Sequence, residues 1–351
     1  MKTAYLILEN GAVFEGKSFG HEGETTGEVV FATGMTGYLE TLTDPSYYGQ
    51  IILQTFPLIG NYGVIPSDFE SAAISAKAYI VKHPCQEPSN FRSEGTLDAF
   101  LRERGIVGLY GIDTRALTRI IRDNGVMNGK ITLSKPTEAD REETETYRVQ
   151  NAVAAVSSKS AVRISEGRRR IALTDFGAKG GIADELISRD CEVWTFPYSA
   201  TAEQIMQIKP DGIMLSNGPG DPAALENQPL VETIRELQKS GAPIFGICLG
   251  HQLLAMANGY KTEKLKFGHR GANQPVKDLS AGRIYITSQN HGYTVIAKDS
   301  AFVNVNDRSC EGLDYGNSFS VQFHPEARGG PLDTNFLFDK FIERIAHYAV
   351  K

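Results

Sequence analysis

Short apolar runs, broken by Gly, Pro and Asn, dominate the first third of the chain. Their spacing predicts strands over Ala4–Leu8, Ala12–Phe14, Glu28–Ala32, Ile51–Phe56, Ala78–Val81 and Val126–Ile131. Two helices interrupt them. Thr96 is placed to cap one, with Leu97, Phe100 and Leu101 on its inner face. Asp113 caps the other, with Leu117, Ile120 and Ile121 inward and Gly125 just past its end. Charge then replaces apolar periodicity from Pro136 to Arg148, and small polar residues follow from Ser157 to Arg170. From Arg170 the rhythm changes to alternating strands and helices, the pattern of a parallel α/β sheet. Strands are expected over Ile171–Leu173, Glu192–Phe196, Gly212–Leu215 and Pro243–Ile247, with helices at Gly181–Ser188, around Ala202–Ile208 and one with Pro229 in its first turn that ends before Gly241. Later strands over Arg283–Thr287, Thr294–Ile296 and Ser318–Gln322 are partly antiparallel, and a helix over Asn335–His347 carries Phe336, Phe338, Phe341, Ile342 and Ile345.

This organisation predicts an α+β domain over residues 1–150, a connector over 151–168 and an α/β domain with an open, mostly parallel sheet flanked by helices over 169–351. The length, 351 residues, is too great for one ordinary core. A net charge of -6 argues against nucleic acid or an anionic membrane as main partner. No apolar run is long enough to span a bilayer and the N-terminal run is too short for a signal peptide, so the cytoplasm is expected. Arg168-Arg169-Arg170 reads as a solvated or partner-facing surface. The cysteines, Cys85, Cys191, Cys248 and Cys310, form no C-x-x-C pair, and neither a disulfide framework nor a zinc cluster is expected.

One cysteine stands apart. Gly246-Ile247-Cys248-Leu249-Gly250 lies where a buried strand gives way to a helix, and a cysteine framed by glycines two positions away on each side makes a nucleophile elbow. So tight a turn leaves no room for side chains at the framing positions, and it aims the first amides of the next helix at negative charge developing near the sulfur. Such a nucleophile needs a base, and the base an orienter. His324-Pro325-Glu326 supplies both: alternate residues of an extended chain face one side, so Glu326 can hold one ring nitrogen of His324 and leave the other for the sulfur. The loop Ser216–Pro222 follows a strand of the same sheet, and Gly218 is the natural second oxyanion donor beside the Leu249 N–H. His291, in an expected loop over Thr287–Tyr293, lacks a neighbouring carboxylate and ranks behind His324 as base. His251 is expected to pack near the helix start. His21, His83, His269 and His347 belong to no evident constellation. No G-x-G-x-x-G nucleotide loop occurs.

The elbow, Ser216–Pro222 and His324-Pro325-Glu326 together resemble the class I, triad-type glutamine amidotransferases in order and context. The other half sharpens the resemblance. Phe31–Tyr38, Leu42–Tyr47, Pro57–Gly63, Gly111–Arg115, Asp175–Lys179, Lys266–His269 and Gln289–Gly292 look like the small subunits of carbamoyl phosphate synthetases. The chain departs from that pattern at Arg270, Ala272 and Gln274 and over Ala327–Asp333, none of them a catalytic position.

The resemblance implies hydrolysis of L-glutamine through a Cys248 thioester, with His324 as acid and base and Glu326 as its orienter. It implies glutamine contacts from Ser46, Gly218, Gly220, Leu249, Gln252, Asn290, Gly292 and Tyr293, and hence a site where the domains meet. It further implies a heterodimer in which ammonia passes to a large subunit that uses ATP, Mg and bicarbonate to make carbamoyl phosphate for arginine and pyrimidine synthesis. No cofactor is expected in this chain. Two other readings use the same residues: a Cys-His-Glu hydrolase of other substrates, and a regulatory or scaffolding subunit that has kept its triad.

Overall fold

The computed structural model describes residues 2–224 and 227–349. The chain divides into two compact units, Met1–Gln150 and Asn151–Lys351.

The first unit carries β1 (Thr3–Leu8), β2 (Val13–Gly20), β3 (Thr25–Ala32), β4 (Gln50–Gln54), β5 (Leu58–Ile59), β6 (Ala78–Val81), β7 (His83–Pro84), β8 (Val107–Tyr110) and β9 (Met127–Thr132). A closed barrel runs β1-β2-β8-β6-β4-β3-β9, and β9 pairs back onto β1. β8 was not legible in the sequence, because Gly108 interrupts a run of only four residues. β2 is longer than its apolar pattern, because its first five residues are not buried and alternate between half-buried and exposed. Helices α1 (Tyr38–Thr43), α2 (Leu97–Glu103), α3 (Thr114–Asn124) and α4 (Glu138–Thr146) complete the unit. The expected caps are present: Thr96 Oγ1 accepts from Ala99 N at 3.2 Å and Asp113 Oδ1 from Ala116 N at 2.9 Å. Ile120 is only half-buried, unlike Leu117 and Ile121. The charged stretch after Pro136 forms α4, opened by a capping box of Thr137 and Asp140. Lys130 of β9 ties it down through Asp140 at 2.8 Å and Glu143 at 2.6 Å.

The second unit carries α5 (Ala152–Val156), β10 (Val162–Arg163), β11 (Arg169–Asp175), α6 (Gly180–Ile187), β12 (Cys191–Pro197), α7 (Ala202–Met206), β13 (Gly212–Leu215), α8 (Gln228–Lys239), β14 (Ile244–Ile247), α9 (Leu249–Ala257), β15 (Lys261–Asp278), β16 (Ile284–Ile296), β17 (Phe302–Asn304), β18 (Cys310–Asp314), β19 (Phe319–Val321) and α10 (Phe336–Ala349). One ten-stranded sheet runs β10-β12-β11-β13-β14-β19-β18-β16-β15-β17. It is parallel from β12 to β19 and antiparallel beyond. The segment expected as a connector contributes buried Ala152 and Val153, and β10 pairs with β12.

Alternation along the parallel strands sends side chains into two cores. Ile171, Leu173, Phe245 and Ile247 join Ile182 and Leu186 of α6 and Phe338 and Phe341 of α10 on one face. Ala172, Ile213, Leu215 and Ile244 join Ile234 and Leu237 of α8 and Leu253 and Leu254 of α9 on the other. In α10 the inner face uses Leu337, while Phe336 is exposed. β15 is the largest element that the apolar pattern does not show: its 18 residues are rich in Lys and other polar groups and mostly exposed or half-exposed, so they carry no apolar signal.

Candidate active site

Three neighbouring parallel strands, β11, β13 and β14, end side by side, and the candidate chemistry sits beyond their carboxyl ends, where ligands bind in open α/β sheets. Cys248 follows β14 and precedes α9. Its backbone has φ 54 and ψ -104, a strained setting for a residue with a Cβ. The glycine frame has a steric cause. A Cβ on Gly250 would lie 2.3 Å from the Leu215 carbonyl oxygen of β13, and one on Gly246 2.7 Å from the Gly250 oxygen. The helix begins at Leu249, so its first amides stand directly beside the cysteine.

β19 runs parallel to β14, and Cys248 N donates to Val321 O at 2.9 Å. Three residues further on, His324 N donates to Ser288 O at 2.9 Å, which anchors its backbone. His324 Nδ1 and Glu326 Oε1 are 2.6 Å apart. A proton on Nδ1 therefore leaves the Nε2 lone pair free for the cysteine side. The Cys248 sulfur lies 3.7 Å from the Asn290 carbonyl oxygen. Cys248, His324 and Glu326 are all buried, at 3%, 1% and 1% exposure.

A fourth group joins them. Lys179 Nζ donates to Glu326 Oε1 at 2.9 Å and stands 3.5 Å from His324 Nδ1. Burial disfavours a charged carboxylate, but Lys179 and His324 outweigh it and hold Glu326 below its ordinary range. Burial and the Lys179 ammonium disfavour the imidazolium, yet Glu326 and the cysteine side chain prevail and raise His324 above its ordinary value. Lys179 thus keeps the orienter ionised while tempering the basicity it confers. The sequence reading assigned Lys179 no role, although Asp175-Phe176-Gly177-Ala178-Lys179 was visible directly after a strand. The structure shows what that run does: Asp175 Oδ1 accepts from the Gly177 and Ala178 amides at 2.8 and 2.7 Å, and Lys179 N donates to Asn217 Oδ1 at 3.0 Å.

The loop after β13 is locked in place. Ser216 O accepts from Gly250 N at 3.0 Å, and Ser216 Oγ accepts from Phe176 N at 2.9 Å. A Cβ on Gly218 would lie 2.8 Å from Leu249 Cδ2, so Gly218 packs against the Leu249 side chain. Gly220 follows with φ +95. Gln252 spends its amide nitrogen inside the protein, on the Tyr293 carbonyl at 3.0 Å and Gln322 Oε1 at 2.9 Å. Asn290, Gly292 and Tyr293 belong to strand β16, not to a loop. Their polar sequence hid a strand whose burial is patchy. Ser46 lies in the first unit, in the turn Pro45–Tyr47, with its amide bound to Asp44 Oδ1 at 2.9 Å.

His251 packs as expected, with no exposure and Nδ1 2.8 Å from Ser320 Oγ. Burial holds its pKa down at about 3. An unfolded histidine titrates near 6.5, so the unfolded chain takes up a proton that the folded chain refuses as pH falls through that window. This residue therefore withdraws about 2 kcal/mol of stability by about pH 5. A His251→Gln protein should lack that part of the acid limb in urea denaturation across this range. Identical pH dependence in the two proteins would refute the assignment.

Two expectations fail. His269 was given no constellation, yet its Nε2 lies 2.8 Å from Asp307 Oδ2 and its Nδ1 3.2 Å from His291 Nε2. His291 lacks a carboxylate neighbour in the sequence, yet it and His269 gather with Glu311. These residues lie on separate strands, so their proximity depends on a strand register that spacing does not disclose.

The family of the carbamoyl-phosphate synthase small chain, CPSase domain, matches residues 6–131, and that of the class-I glutamine amidotransferases matches residues 172–344. The chain is 52% identical to a carbamoyl phosphate synthase pyrimidine-specific small chain of Bacillus subtilis, covering 97% of this chain and 95% of that one. It is 49% identical to a carbamoyl phosphate synthase small chain of Clostridium perfringens (97% and 99% covered) and 50% identical to one of Bacillus caldolyticus (99% and 97%). With both domains in order and half of all positions shared along the whole length, this chain belongs to the carbamoyl phosphate synthase small chain family.

Proposed function

We propose that this chain is the glutamine-hydrolysing subunit of a carbamoyl phosphate synthase. The observation that carries the proposal is the buried array of Cys248, His324, Glu326 and Lys179 beyond the ends of the parallel strands. Cys248 attacks the amide carbon of glutamine while His324 Nε2 takes the thiol proton. The Leu249 and Gly218 amides receive the oxyanion. His324 returns the proton to the leaving nitrogen, ammonia departs, and water, deprotonated by the same imidazole, frees glutamate from the thioester. Glu326 keeps the ring in the tautomer that allows both transfers. Gly220, Gln252, Asn290, Gly292 and Tyr293 contribute to the glutamine pocket.

Ammonia then passes to a large subunit, which supplies ATP, Mg and the bicarbonate chemistry. Channelling fits the chemistry, because free ammonia is mostly protonated near neutral pH and is then no nucleophile. The product serves pyrimidine or arginine synthesis, and the location is the cytoplasm. Among the described residues, no helix is long and apolar enough to cross a membrane.

The test is covalent. A chloroketone analogue of glutamine should inactivate the assembled enzyme and add one adduct mass to the peptide bearing Cys248, and glutamine should protect. Modification of another cysteine with equal loss of activity would overturn the assignment. Equal turnover of simple esters or peptides would favour a general hydrolase instead.

A further inference from the structure

The antiparallel half of the second sheet gathers His269 of β15, His291 of β16 and Glu311 of β18. Their potential donor atoms lie within 4.8 Å of one another, and all three residues are buried. His269 and His291 are direct cross-strand partners.

The hydrogen bonds around them fix which atoms face inward. His291 Nδ1 lies 2.7 Å from the Tyr293 carbonyl oxygen, so Nδ1 carries the proton and Nε2 presents a lone pair. His269 Nε2 lies 2.8 Å from the Asp307 carboxylate, so it is the protonated nitrogen and Nδ1 points inward. The inward nitrogens are 3.2 Å apart. Gln289 Oε1 also faces His291 Nε2, at 2.9 Å. Its amide cannot turn over, because its nitrogen donates to Glu311 Oε2 at 3.0 Å and Thr287 Oγ1 at 3.1 Å. Glu311 Oε1 stands 3.5 Å from His269 Nδ1. With His291 neutral, a nitrogen lone pair is thus set against an oxygen lone pair in a buried site. A proton added to His269 Nδ1 would settle that nitrogen's contacts but not the contact between Gln289 and His291. A cation at the centre settles all of them.

The spacing fits such an ion. Ligands bound to zinc at 2.0–2.1 Å in a tetrahedron stand about 3.3 Å apart, close to the 2.9, 3.2 and 3.5 Å found here. Two neutral imidazoles and a carboxylate suit zinc in chemical type. The outer contacts are also those of a metal centre: a carboxylate and a backbone carbonyl orient the two rings, and Asn304 Nδ2 donates to Glu311 Oε1 at 3.1 Å. We propose that His269 Nδ1, His291 Nε2, Glu311 and Gln289 Oε1 bind one structural zinc ion in the second unit. Four protein ligands leave no open position, so the ion holds strands together and does no chemistry. β16 is one of those strands, and its Asn290 and Tyr293 carbonyls contact Cys248 and Gln252.

The experiment uses the full chain with Cys248→Ala, so that the elbow sulfur adds no ligand. After dialysis against a chelator the protein is titrated with Zn2+, and bound metal is counted by mass spectrometry of the elements. One zinc per chain and a rise in Tm are expected, and Co2+ in its place should give the strong visible absorption of a tetrahedral ion. Glu311→Gln, made in the same background to keep the side-chain shape, should lose the zinc and the rise in Tm. Failure of the parent to bind zinc, a Co2+ spectrum of octahedral type, or full stoichiometry in Glu311→Gln overturns the proposal. Should Glu311→Gln not fold, the count and spectrum of the parent decide alone. None of these readouts depends on glutamine turnover, so they are separate from the test of the proposed activity.

Discussion

Replacing Cys248 by serine should lower glutamine-dependent carbamoyl phosphate synthesis by about 10⁴-fold or more, the scale at which loss of a nucleophile acts in a triad. Ammonia-dependent synthesis by the same complex should stay at the wild-type rate. The exchange of sulfur for oxygen leaves the side-chain shape almost unaltered, so the turn between β14 and α9 and its strained φ of 54 are retained. What changes is the reactivity of the attacking atom, since a hydroxyl is a far weaker nucleophile than a thiol at neutral pH. The two assays on one preparation separate loss of hydrolysis from loss of structure. A wild-type glutamine rate in the Cys248→Ser complex would remove this residue from the reaction.

The second large effect concerns Glu326. Its carboxylate is wholly buried and holds both His324, at 2.6 Å, and Lys179, at 2.9 Å. Glu326→Gln should cut glutamine hydrolysis by about 10⁴-fold, because the amide no longer selects the tautomer with a free Nε2. It should also destabilise the second unit by about 3–5 kcal/mol, because one partner of the buried Glu326–Lys179 ion pair is removed. The two losses have different causes and can be uncoupled. Glu326→Gln with Lys179→Met should regain most of the stability in urea denaturation and none of the activity. If the double variant is no more stable than Glu326→Gln alone, the ammonium is not the source of the destabilisation.

The strand-and-helix rhythm after Arg170 was legible because buried parallel strands read as short apolar runs, and the caps at Thr96 and Asp113 because capping residues act within their own turn. The grouping of Cys248, His324 and Glu326 was legible for a similar reason: its steric and orienting requirements sit within five residues at Gly246–Gly250 and three at His324–Glu326. Lys179 was hidden because it reaches its partners from another strand end, and nothing local to residue 179 marks it. The antiparallel half was hidden for a different reason. Lys261–Asp278 is exposed or half-exposed along most of its length, so no hydrophobic alternation marks it, and His269, His291 and Glu311 meet only once that strand has found its register.

In the first unit, β9 pairs back onto β1, so the seven strands of that barrel leave no open row of amide and carbonyl groups along a sheet edge. A second protein therefore cannot join those strands by adding one of its own. Whatever docks on them must read loops and side chains. Such contacts are exchanged by point substitution without disturbing the pairing beneath, and subunit specificity in this half of the molecule can be retuned while the barrel stays intact.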